Sequence, residues 1–85
     1  MSFEEKVKHI KHLYDERVIY DESKLPQELK EYISELKKYD QKKDWFSYDL
    51  KFDEFEMVAR YHLRCKLITE YDYKKIIAKY GWLYD

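Results

Sequence analysis

One glycine, one proline and one cysteine stand in the whole chain of 85 residues. Tight hairpins draw on glycine, asparagine and proline at fixed turn positions, so Gly81 and Pro26 alone argue against a sheet protein and for helices joined by short polar turns. Phosphate-cradling loops need several glycines so that backbone amides can approach the anion, which removes the nucleotide-dependent enzymes. A lone Cys65 forms no intramolecular disulfide, and a reducing, cytoplasmic setting is the natural expectation. No apolar run approaches the roughly 20 residues that span a bilayer, and Met1-Ser2-Phe3-Glu4-Glu5 is unlike a secretory signal.

What is abundant is charge and aromatic carbon. Charged residues make up 41% and apolar ones 45%, mixed along the chain, so the composition of a disordered chain is absent. The balance of 17 basic against 18 acidic side chains gives a net charge of −1, which predicts neither nucleic-acid nor anionic-membrane binding. A chain this short makes one domain, residues 1–85, with a radius of gyration of about 12 Å.

Four helices are expected, in two hairpins, as a compact all-α bundle. The first opens on a Ser2/Glu5 capping box and continues through Phe3, Val7, Ile10, Leu13, Tyr14 and Val18 at helical steps. The second starts near Pro26 and buries Leu29, Tyr32, Ile33 and Leu36, with Leu25 and Tyr39 extending the stripe. The third runs from about Asp44 to Arg64. Within it Phe46, Tyr48, Leu50 and Phe52 alternate with polar residues like a strand. Helical spacing of Trp45, Tyr48, Phe52, Phe55, Ala59, His62 and Leu63, and the lack of an obvious strand partner, favour helix with a break near Asp49. The fourth is capped by Thr69 with Asp72, carries Tyr73, Ile76, Ile77 and Tyr80, and stops at Gly81 in the left-handed conformation. Trp82-Leu83-Tyr84 then folds back or is displayed.

The run Leu63-Arg64-Cys65-Lys66-Leu67-Ile68-Thr69-Glu70-Tyr71-Asp72-Tyr73 resembles the helical hairpin of SHOCT-type modules. That resemblance implies oligomerisation or partner binding. As a whole the chain resembles the small tyrosine- and lysine-rich helical proteins of phages and mobile elements in low-GC bacteria, which implies a bacterial setting and no mechanism.

Catalytic and metal chemistry find little support. Cys65 follows His62 by three, but at a helix C-terminus the dipole raises a thiol pKa and no oxyanion site accompanies it. His9, His12, His62 and Cys65 lack the tight ligand spacing of structural zinc. Asp53, Glu54 and Glu56 read as a solvated face. No catalytic, cofactor or metal residue is assigned, and the chain is expected not to be an enzyme.

Partner binding is the expected function, with self-association included. Asp44, Asp49, Asp53, Glu54 and Glu56 face only Lys51 in charge, whereas Arg60, Arg64, Lys66, Lys74, Lys75 and Lys79 outnumber Glu70 and Asp72 further on. The third helix is therefore polarised. Sixteen aromatic rings (ten Tyr, four Phe, two Trp) are a heavy load for so small a core, and half-exposed tyrosines anchor interfaces. The candidate contact residues are Tyr61, Tyr71, Trp82, Tyr84, Arg60, Arg64, Lys74 and Lys75. The alternative is nucleic-acid binding by the basic face of the third and fourth helices. Glu70 and Asp72 at the start of the fourth oppose it, since a recognition helix meets phosphate with that end.

Overall fold

The computed structural model describes residues 10–81. Ser2, Phe3, Glu5, Val7 and His9 at one end and Trp82, Leu83 and Tyr84 at the other lie outside the described residues. The described part contains three α-helices, α1 (Gln27–Gln41), α2 (Trp45–Arg64) and α3 (Glu70–Tyr80), preceded by one 3-10 turn (Glu22–Lys24). Its radius of gyration is 12.7 Å.

Each α-helix starts where the sequence supplies a starting signal. Pro26 precedes α1 with its ring-fixed φ of −55°. Asp44 accepts the Ser47 N–H and begins α2, which runs unbroken through Asp49. Thr69 and Asp72 complete a reciprocal capping box on α3. The strand-like alternation over 46–52 is therefore helical: with no strand among the described residues to pair, its backbone donors are satisfied within the helix.

Short turns fold the three helices up, down and up. Glu28 lies against His62, Tyr32 against Phe55 and Glu35 against Lys51, so α1 and α2 are antiparallel. Phe55 against Tyr80 sets α3 antiparallel to α2. The core they enclose includes Leu29, Ile33 and Leu36 from α1, Tyr48, Phe52, Phe55 and Ala59 from α2, and Ile76 and Tyr80 from α3. The Tyr48 hydroxyl donates to the Tyr80 carbonyl at 2.7 Å, so a fully buried phenol caps the last turn of α3.

The expected first helix is not one over its described part, and the described residues hold three α-helices instead of the four expected. Residues 10–21 form an irregular strap. The apolar reading survives, since Leu13 is completely buried with Ile10 and Tyr14 packed beside it. The helical reading fails because the strap's amides are taken by distant acceptors. The Leu13 N–H donates to Asp40 Oδ1, and the Asp15 N–H donates to the Lys79 carbonyl at 2.7 Å. Asp40 is itself buried at the end of α1, where it also meets His12 Nδ1 at 2.7 Å. Further along, the Tyr20 hydroxyl donates to Asp72 at 2.6 Å, and Glu22 accepts from the Tyr80 hydroxyl. The strap thus lies along α3 and ties both its ends.

Gly81 ends α3 without the left-handed conformation expected of it, at φ −110°. Its backbone is open to any residue, but its Cα faces the Phe52 ring, and a Cβ there would fall well inside contact distance of Cζ. Gly81→Ala should cost about 1–3 kcal/mol through this overpacking, read as a lower midpoint in urea at unchanged slope. The left-handed positions belong instead to Lys43 (φ 55°) and Lys66 (φ 60°), in the two interhelical turns.

Candidate interaction surface

The long helix α2 is apolar on two sides. Its inner side carries the core residues named above. On the opposite side Phe46, Leu50, Met57 and Tyr61 recur at four- and seven-residue steps, which on a helix makes a second stripe. These side chains are 60%, 54%, 69% and 64% exposed, respectively. A scattered exposed hydrophobe is ordinary, whereas these four share one side of a single helix.

Charge along this ridge changes sign. Asp53 and Glu54 stand in its first half, while Arg60 and Arg64 stand in its second. Glu54 is bridged to Lys51 at 3.2 Å, and Arg60 to Glu56 at 2.6 Å, one helical turn apart in each case. The side chains of Asp53 and Arg64 make no hydrogen bond or ion pair among the described residues. Met57, Arg60, Tyr61 and Arg64 together line a shallow depression of about 180 Å³. Hydrogen bonding with the neighbouring Cys65 thiol raises the Tyr61 phenol above its ordinary pKa.

The residues singled out from sequence fall in two places. Arg60, Tyr61 and Arg64 lie on the α2 ridge. Tyr71, exposed at the start of α3, lies tilted against Tyr20 at 6.3 Å between centroids, with Lys24 and Lys75 over its ring at 5.8 and 5.5 Å. Lys74 is exposed on α3. Trp82 and Tyr84 are outside the described residues. Phe46, Leu50 and Met57 were not singled out from sequence. Their signal was the second helical register of the α2 stretch, hidden there because Phe46 and Leu50 also alternate with polar residues as a strand would.

Beside Tyr71 lies the buried carboxylate of Asp72, with three partners. Burial opposes the charge on Asp72, but hydrogen bonds from Tyr20, the Thr69 N–H and Lys24 outweigh it and hold the carboxyl well below the usual range. Burial, then the hydrogen bond to Asp72, pushes the Tyr20 phenol up in turn. The cluster knits strap, 3-10 turn and α3 together, a role in architecture.

The histidines are engaged separately. His12 meets Asp40 and, at 3.4 Å, Glu16, while buried His62 turns Nε2 to Glu28 at 3.1 Å. His62 Nδ1 is a buried nitrogen without a hydrogen-bond partner. Cys65 is exposed at the end of α2. Among the described residues no three metal-ligating side chains converge, and no helix is long and apolar enough to cross a membrane. Comparison with protein-family models, curated proteins and solved structures finds no match to the chain.

Proposed function

We propose that this chain is a small non-enzymatic protein that works by binding another protein chain through the outer face of α2. The second apolar stripe carries the reading: a helix apolar on both sides is completed only when both sides are covered. Met57 and Tyr61 in its second half, beside Arg60 and Arg64, have the composition of an interface anchor, where Met, Tyr and Arg are enriched. The likeness of residues 63–73 to SHOCT-type hairpins points the same way, and an adaptor, regulator or inhibitor of bacterial mobile-element origin fits the chain's general character. An exposed free thiol at Cys65 fits a reducing cytoplasm, since oxidising conditions would link copies through it.

The test is affinity capture from a lysate of the source cells with the full chain as bait, run with and without nuclease. Capture should survive nuclease and fall for Met57→Ala and Tyr61→Ala, while Glu31→Ala on exposed α1 leaves it unchanged. Capture that vanishes with nuclease and tracks Arg60, Arg64, Lys74 and Lys75 instead would establish the nucleic-acid alternative, with its steep salt dependence.

A further inference from the structure

The exposed ridge of α2 is complementary to itself. Past Phe46 and Leu50, the ridge carries Asp53, then Met57 and Tyr61, and ends on Arg64. The two outer charges are opposite in sign and the ones on this ridge that have no partner among the described residues. They stand about 16 Å apart on a helix rising 1.5 Å per residue. A two-fold axis perpendicular to α2, between them, brings each charge onto its opposite in a second copy and apposes Met57 and Tyr61 across the axis. A parallel pairing would instead set like charge on like.

From this we propose that the occupant of the α2 face is a second copy of the same chain, docked antiparallel, with Asp53 of each copy facing Arg64 of the other. The proposal rests on the reading that this face is an interaction surface, and adds the identity and geometry of the partner. An isologous contact of this kind needs a single self-complementary patch, which is what the ridge supplies. The net charge of −1 leaves little long-range repulsion between copies. The overlap of the two helices, about 16 Å long between Asp53 and Arg64, buries less than a standard interface of roughly 1,600 Å², so the dimer is a weak, exchanging one with a dissociation constant in the micromolar range.

Sedimentation equilibrium of the full chain, from roughly 1 μM to 1 mM, should resolve a monomer–dimer equilibrium. Asp53→Arg and Arg64→Asp should each weaken it at least about tenfold, because both symmetry-related contacts become repulsive. Combining the two substitutions in one chain restores opposite signs across the antiparallel interface, and dimerisation should return to within about threefold of the parent. Met57→Lys should also dissociate the dimer, and circular dichroism should be unchanged for all four variants, since the three positions are exposed. A monomer at every concentration overturns the proposal, as does a combined variant that stays monomeric or single variants that dimerise like the parent. A strictly monomeric protein that still captures another protein through Met57 and Tyr61 would remove self-docking and leave the binding reading standing. Capture indifferent to both side chains would remove the binding reading itself.

Discussion

Phe55→Ala should destabilise the protein by about 3–5 kcal/mol, while Tyr61→Ala, six residues along the same helix, should stay within about 0.5 kcal/mol of the parent. Phe55 is completely buried where the three helices meet. Its ring lies 6.1 Å from Tyr32 of α1, 6.2 Å from Phe52 and 6.0 Å from Tyr80 of α3, edge-on to the last. Removing it takes away contacts with all three helices and leaves a void that close-packed neighbours fill only in part. Small domains hold 5–15 kcal/mol in total, so the loss is a large share, and the melting temperature should fall by about 12–40 °C at 4–8 °C per kcal/mol. Tyr61 is 64% exposed on the other side of α2. Its truncation should instead weaken partner capture by about 2 kcal/mol, roughly thirtyfold. Thermal unfolding and capture measured on both variants separate the two faces. If Tyr61→Ala melts as early as Phe55→Ala, the ring belongs to the core and the outer-face reading fails.

Asp72→Asn should cost about 1–3 kcal/mol near neutral pH, as a charged acceptor serving Tyr20, Thr69 and Lys24 is replaced by a neutral amide. The cost should depend on pH. The native carboxyl has its pKa below that of the unfolded chain, about 3.9, so its contribution is complete above roughly pH 5. Below about pH 4 the unfolded chain takes up the proton first, and the contribution shrinks as pH falls toward the native value. The gap between parent and Asp72→Asn in urea unfolding should therefore narrow between about pH 5 and pH 3. A gap constant down to pH 3 would mean that the hydrogen bonds to Asp72 do not favour its ionised form.

How far the chain could be read in advance differed by element. α2 and α3 were legible because Asp44, Thr69 and Asp72 act on amides three residues away, and local signals of that kind are written in the sequence. The strap was not, because what decides its conformation lies far along the chain. Asp40, the Lys79 carbonyl and Asp72 bind its polar groups, and no periodicity within residues 10–21 records them. Gly81 was rightly taken as a helix end, but the reason for glycine is the Phe52 ring, a neighbour in space alone. On the outer face, Tyr61 was found because it fell off the core stripe. Phe46 and Leu50 were missed because an alternating pattern is ambiguous until the backbone is known to be helical.

The strap also bears on the order of folding. The two interhelical turns bring their helices together across short stretches of chain, whereas the strap's bonds join Leu13 to Asp40, Asp15 to Lys79 and Tyr20 to Asp72. Closing such long loops forfeits chain entropy before any contact is made. Two of the three strap bonds are made to α3, whose own cap and helical turns form locally. The N-terminal part of the chain, although synthesised first, must therefore wait for the C-terminal helix before its buried leucine and its amides find the partners that hold them.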